Sequence, residues 1–388
     1  MFQKILKGSF VVMILLVLLA GAVRTFFHPK EINAYENRYS AQVPALTAAS
    51  YLDSSFQDGL EDALADQIPF AQRGKKFYND TTSQYLQTLA GSVIANNPDR
   101  YIHYRGMLIF GSDTLVYRPY VLADISAALD EKIANLNETF AALPDVTFSV
   151  YYIEKDTDLN FETGQKLDAF SYLQQALNLP REQMFCYEIN SFAEFHEKFY
   201  RTDHHWNHVG SYAGYLSARE LLGISEAPME PVGSYQLTAP MVGSKSAQIG
   251  SGTFSEIIQA YAFDWPTMDI TINGDAAADY GTQDPSQRDL TPISYGGLYG
   301  GDMGEIIFDT GTTGRGNLLV IGESYDNAIL KLLATHYDQL YSIDLRYYET
   351  YLGEPFRLSA YLQEHEIQNV LLIGNVDYFI QSDFLLEN

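Results

Sequence analysis

The chain is nearly empty of cysteine and poor in positive charge, and each shortage narrows what it can do. Cys186 is the 1 cysteine in 388 residues, so an internal disulfide and a thiolate metal cluster are both excluded. Inside the apolar run Met184-Phe-Cys-Tyr187 its thiol reads as an inert buried group. Lysine and arginine number 24 against 49 aspartates and glutamates, a net charge of -25. Binding a polyanion needs clustered cations, so nucleic acid is not an expected partner. A phosphate-binding loop is missing as well. The glycine-rich stretch Gly296-Gly-Leu-Tyr-Gly-Gly301 is irregular and has no lysine after it, and it reads as a flexible turn.

Apolar residues make up 46% of the chain, with 29 Tyr and 22 Phe. That supports a buried core, and aromatic side chains suit sugar ring faces as well as an ordinary interior. The first residues carry Lys4 and Lys7, followed by an uncharged run from Gly8 to Val23 and then Arg24. The run has the length at which a signal segment and a spanning helix meet. Ala20-Gly-Ala22 has the small-x-small pattern of a cleavage site. Phe26 and Phe27 extend the apolar stretch beyond Arg24, whose stem can snorkel. The reading favoured is an uncleaved anchor with its amino terminus inside, or a secreted chain if the segment is cleaved. Either way the remainder is exported.

Four regions are expected: an anchor or signal peptide at 1–29, a membrane-proximal helical segment at 30–99, an α/β core formed by 100–222 and 314–388, and an inserted β or irregular module at 223–313. In the second region Phe56, Leu60, Leu64 and Phe70 recur at helical spacing, one helix ending near Pro69. Short strands with a turn at Gly106 are expected over 101–112. A helix is expected over 122–143, a strand over 147–153, a helix over 164–177 and a strand over 183–189. The alternation resumes with strands at 317–322, 339–344 and 369–374, separated by helices. Strand-helix alternation of this kind predicts a mostly parallel sheet flanked by helices. In such sheets sites lie beyond the carboxyl ends of strands, and Ser324, Arg346 and Asn375 each follow a strand closely.

The chemistry concentrates in Arg201-Thr-Asp-His-His-Trp-Asn-His208. Asp203 and His205 are two apart, so on an extended or turn backbone they can point the same way. A carboxylate on one ring nitrogen would fix the tautomer and leave the other as a base. The nucleophile this pair lacks is expected downstream at Ser324, where Leu318-Leu-Val-Ile-Gly-Glu-Ser-Tyr325 ends an apolar strand in Gly-x-Ser. The amides of Ser324 and Tyr325 are candidate oxyanion donors, and Asn375 could add a side-chain donor. Tyr325 stands where the Gly-x-Ser-x-Gly elbow has its second glycine, which argues against an α/β-hydrolase. His204 and Trp206 are expected to pack against or line the pocket, and His208 to cap the following helix. Arg346 could bind an acyl donor or a sugar hydroxyl, or pair with a nearby carboxylate. No metal is expected, because adjacent histidines rarely ligate one ion well and no carboxylate motif with metal spacing surrounds them. No other cofactor is implied.

Thr202-Asp-His-His-Trp206, together with Gly322-Glu-Ser324, resembles the signature of the DHHW protein family. That family is similar to the SGNH-hydrolase-like alginate O-acetyltransferases. Glu36-Asn-Arg38, Asp66-Gln-Ile-Pro-Phe-Ala-Gln-Arg73 and Ile373-Gly-Asn375 extend the resemblance over nearly the whole exported chain. It departs from the pattern at Val376, which follows Gly374-Asn375 in place of an acid. The resemblance implies an SGNH-like fold with Asp203, His205 and Ser324 as triad, its order permuted. It also implies O-acetyl transfer to, or removal from, an extracytoplasmic polysaccharide, with a membrane-bound O-acyltransferase as partner. The expectation is therefore a membrane-anchored O-acetyltransferase working through acyl-Ser324. Its rivals are an esterase with the same triad, a silent glycan-binding scaffold, and a metal phosphoesterase, which lacks the acidic motifs it would need.

Overall fold

The computed structural model describes residues 2–30, 32–33, 38–52, 54–67, 71–94, 101–110, 113–250, 254–290 and 293–387. Glu36 and Asn37, Ile68, Pro69 and Phe70, and Ser112 lie outside the described residues. The chain divides into two compact units, residues 1–96 with 244–254, and residues 97–243 with 255–388.

The first unit is helical. Its leading helix runs Phe2–Phe27, and the segment Gly8–Phe27, with mean hydropathy 2.5, is long and apolar enough to cross a membrane. Shorter helices follow at Ala48–Leu52 and Ser55–Gln67, and a long one at Ala71–Ile94. The fully buried Gln67 side chain exchanges two hydrogen bonds with the backbone of Lys30, accepting at 2.9 Å and donating at 3.1 Å. Asp66 accepts from the amide of Ala41 at 2.9 Å. These two residues tie down the chain that leaves the apolar helix.

The second unit is built on an eight-stranded sheet. Its strands are β1 (Thr147–Ile153), β2 (Met184–Tyr187), β3 (Asp269–Ile272), β4 (Asp275–Ala277), β5 (Glu305–Asp309), β6 (Asn317–Ile321), β7 (Gln339–Ile343) and β8 (Asn369–Gly374). They lie in the order β4-β3-β5-β7-β6-β8-β1-β2. The five strands from β7 to β2 are parallel; β5, β3 and β4 extend the β7 edge antiparallel. Residues 269–309, inside the stretch read from sequence as an inserted module, thus supply one edge of this sheet. Both faces of the parallel strands are buried, as helices on either side require. Tyr151, Ile153, Leu318, Val320, Leu371 and Ile373 join one core; Val150, Tyr152, Leu319, Ile321 and Leu372 join the other. That two-residue alternation is the pleat itself.

Before the sheet comes a small antiparallel one, Tyr101–Tyr104, Met107–Phe110 and Thr114–Val116. Its first turn is Arg105-Gly106, both at positive φ (47° and 85°), the pair that a tight two-residue hairpin demands. The helix expected over 164–177 is shorter, Ala169–Ala176. Asp168 before it is held at φ 60°, outside the helical region.

Strands β6 and β8 are neighbours in the middle of the parallel set. The chain winds outward from β1 to β2 on one side and from β6 to β7 on the other. The crevice beyond the carboxyl ends of β6 and β8 is therefore the switch point where a site is expected.

Candidate active site

Ser324 stands three residues past the end of β6, in a turn closed by the Asp326 amide donating to the Glu323 carbonyl at 2.9 Å. Gly322 lets the chain fold back so tightly, since a Cβ there would lie 2.2 Å from Asp326 Oδ2 and 2.9 Å from Ile373 Cγ2. Glu323 is buried, and its carboxyl is pushed up chiefly by desolvation. It accepts from the Asn375 backbone at 3.1 Å and from the Asn375 side-chain amide. Asn375 Oδ1 in turn accepts from the Asp377 amide at 2.8 Å, capping the helix Val376–Ile380. The carboxyl end of β8 is thereby tied to the turn at the end of β6.

The acid and the base arrive on the loop between the helices Phe192–Lys198 and His208–Leu221. A bridge between Phe199 and Trp206 closes this loop. Trp206 is fully buried and donates from Nε1 to the Tyr325 carbonyl at 3.0 Å. Room for its indole comes from Gly214, where a Cβ would lie 2.5 Å from Trp206 Cζ3. Asn207, not His208, caps the helix, its Oδ1 accepting from Val209 at 2.9 Å and Gly210 at 3.1 Å. Its short side-chain acceptor suits that position, whereas His208 is already the first helical residue. From the far segment, Glu256 accepts the Arg201 amide at 3.1 Å and both the amide and hydroxyl of Thr202 at 2.7 Å.

Folding brings the three chemically complementary groups into one line. Asp203 Oδ1 lies 2.6 Å from His205 Nδ1 and also accepts the His205 amide at 3.1 Å. His205 Nε2 lies 2.7 Å from Ser324 Oγ. Exposures of 5%, 6% and 9% place all three inside the protein. With Nδ1–H donated to the carboxylate, Nε2 is left as the acceptor for the serine proton. Among the described residues, no acceptor receives the backbone N–H of Ser324 or of Tyr325.

The other residues singled out from sequence are distributed around this line. Tyr325 is fully buried; its hydroxyl donates to the His204 carbonyl, and burial holds its ionisation well above the ordinary range. The ring of His204, half-buried, packs 3.8 Å from that of His205. Arg346 takes the second of its two readings and pairs with carboxylates. It forks onto Asp344 through Nε at 2.9 Å and Nη2 at 2.5 Å, and reaches Asp302 at 3.3 Å. Donor atoms of Asp203, His204 and His205 lie within 4.8 Å of one another. Both nitrogens of His205 are already engaged, so an ion at that cluster would have to displace Asp203 or Ser324. Cys186 is half-buried, and desolvation raises its thiol far from the reactive range.

Sequence reasoning missed two contributors, Glu256 and Tyr295. The Tyr295 ring stacks on His205 at 3.8 Å with planes 3° apart. Both come from the 223–313 stretch, where no periodicity singles out one acid or one tyrosine.

A family model described as DHHW protein matches residues 129–343, more than half of the 388. Among solved structures, Bacillus cereus PatB1 with a sulfonyl adduct is 16% identical, with 73% of this chain and 97% of that one covered at a TM-score of 0.56. A second PatB1 structure gives 18% identity, 74% and 98% coverage and a TM-score of 0.54. A DHHW family protein from Eubacterium siraeum gives 16% identity, 74% and 98% coverage and a TM-score of 0.53. At these identities the likeness is one of fold. No curated protein matches the chain.

Proposed function

The chain belongs to the DHHW protein family, and from that membership and the site's geometry we propose that it is an O-acetyltransferase. It works outside the membrane, held by its apolar amino-terminal helix, and acetylates a polysaccharide. The observation that carries this reading is the hydrogen-bonded line from Asp203 through His205 to Ser324.

In the first half-reaction His205 Nε2 takes the hydroxyl proton as Ser324 Oγ attacks the carbonyl carbon of an acetyl ester. The donor's ester C–O bond breaks, and His205 returns the proton to the departing alcohol, leaving acetyl-Ser324. In the second, a sugar hydroxyl gives its proton to His205 and attacks the acetyl carbon, and Ser324 leaves with that proton. Asp203 stabilises the imidazolium in both halves. The amides of Ser324 and Tyr325 receive the oxyanion, while Asn375 acts through Glu323. Burial of the reacting groups limits water, which favours transfer over hydrolysis.

For the sugar, a cleft of about 530 Å³ is lined by His103, Arg118, Tyr120, Asn160, Gln165 and Lys166 among others, a mixed set of donors, acceptors and one aromatic face. Tyr120 links this cleft to the site, donating at 2.8 Å to Asp377, whose amide is capped by Asn375. The acetyl group would come from a membrane-bound O-acyltransferase partner.

The test is incubation of the full chain with an activated acetyl ester, with and without oligosaccharide. Acetylated sugar supports the transferase. Free acetate alone would make the protein a carbohydrate esterase with the same triad. No turnover and no adduct on Ser324 would leave a silent glycan-binding scaffold.

A further inference from the structure

The catalytic loop and the nucleophile turn are joined by a side chain that belongs to neither. Tyr295 opens the short helix Tyr295–Tyr299, capped by Ser294 Oγ accepting from the Gly297 amide at 3.0 Å. It is 4% exposed. Two buried tyrosines hold its ring: Tyr200 edge-on at 6.4 Å and Tyr299 at 5.0 Å. Tyr295 then makes two contacts at the site. Its ring lies flat on the His205 imidazole at 3.8 Å, planes 3° apart. Its hydroxyl donates at 3.4 Å to the Tyr325 carbonyl, which also receives Trp206 Nε1 at 3.0 Å.

The opposite face of His205 is covered too. His204 sits 3.8 Å from it, tilted by 35°; two rings that close cannot share one face. Hydrogen bonds at the two ring nitrogens fix the imidazole within its own plane. They resist tilting poorly, because the terminal torsion of a histidine is broad. Stacking on both faces supplies the missing restraint. Among the described residues, the groups around His205 include Asp203, His204, Ser324, Tyr295 and Tyr325. His204 bonds to the nucleophile turn through its carbonyl, which accepts from the Tyr325 hydroxyl, and Tyr295 bonds to that turn from outside the catalytic loop.

We propose that Tyr295 is a positioning residue that holds the plane of the His205 imidazole and ties it to the Ser324 turn. The segment 223–313 would thereby complete the catalytic geometry instead of serving only as structure. The proposal rests on the acyl-transfer reading for its kinetic consequence, and on the stack alone for its geometry.

Two measurements separate those dependences. The first is the rate at which a sulfonyl fluoride modifies Ser324 in the full chain, with fluoride as leaving group and the serine proton passing to His205. Tyr295→Leu, which refills the space without a ring, is expected to slow modification about 10–100-fold. Tyr295→Phe keeps the stack and is expected to stay within about threefold, a lost weak hydrogen bond. In a His205→Ala background Tyr295→Leu should change nothing further, because its effect runs through the imidazole. A wild-type rate in a folded Tyr295→Leu protein, or the same loss with and without His205, overturns the proposal.

The second measurement needs no reactivity. In the Ser324→Ala chain the His205 ring protons should resonate upfield, shielded by the tyrosine face, and should move toward ordinary positions in Tyr295→Leu. Ordinary positions in the parent, or no movement, would overturn the clamp. If the wild-type chain takes no adduct at all, the acyl-transfer reading falls, and the resonances still decide the fate of the stack.

Discussion

His205 Nε2 and Ser324 Oγ lie 2.7 Å apart although 119 positions separate them in the chain. The serine is delivered by the end of a central parallel strand, and the histidine by a loop that a buried tryptophan pins to the residue after that serine. Each half is local and stiff, and the site forms where they meet.

Asp203→Asn tests the orienting carboxylate. An amide in that place can present its N–H to the imidazole and stabilise the wrong tautomer. Turnover of an activated acetyl ester is expected to fall by roughly 10⁴-fold while circular dichroism stays that of the parent. A loss under tenfold would mean that Asp203 does not orient the base.

Glu256→Gln tests the anchor of the catalytic loop. The carboxylate accepts three hydrogen bonds from Arg201 and Thr202, and an amide oxygen accepts them less strongly. Stability should drop by about 1–3 kcal/mol, read by denaturant unfolding, with a parallel fall in ester turnover. Lost stability with full turnover would show that the loop keeps its shape without this anchor.

Gly214→Ala tests the seat of the indole. The added methyl would meet Trp206 Cζ3 at 2.5 Å and Cη2 at 2.6 Å, and the rigid ring must shift or the helix must move. A cost of about 1–3 kcal/mol is expected, with red-shifted tryptophan emission. An unchanged melting temperature would contradict the tight packing of this loop.

Lys132 gives a pH test independent of the site. Its ammonium is buried, lies 4.6 Å from the Tyr378 ring and donates to the Phe384 carbonyl. Desolvation pushes its pKa down from 10.5 to about 7. Between those values the unfolded chain binds the proton and the folded one does not, so stability rises with pH across that window. Its contribution is expected to grow from pH 7 to 9.5, by no more than about 1.4 kcal/mol per unit. Lys132→Met should lack that rise in thermal melts at the same pH values. An equal rise in both proteins would show that Lys132 is not its source.

The architecture was largely legible because its signals are local. Thr147–Ile153, Asn317–Ile321, Gln339–Ile343 and Asn369–Gly374 are mostly apolar runs of aliphatic and aromatic residues, and their spacing around helices announces a parallel sheet. Asp203, His205 and Ser324 could be singled out because an acid two positions before a histidine, and a serine just past a strand, are patterns visible in the chain. The antiparallel edge was not legible. Asp269–Ile272 and Glu305–Asp309 are short, and which partner such strands choose is decided by the sheet they find. Tyr295 was hidden for a related reason, being one of 29 tyrosines and distinguished only by what it touches. Arg346 follows a strand as a ligand-binding residue would, yet Asp344, two positions before it, supplies the matching fork.

Covalent labelling reads the pairing of Ser324 with His205 without any assumption about the sugar. The full chain is treated with a sulfonyl fluoride or an activated acetyl ester, and its peptides are mapped by mass spectrometry. One adduct is expected, on Ser324, absent from Ser324→Ala and strongly suppressed in His205→Ala. An unmodified Ser324 in folded wild-type protein, or modification that proceeds equally well without His205, would contradict it.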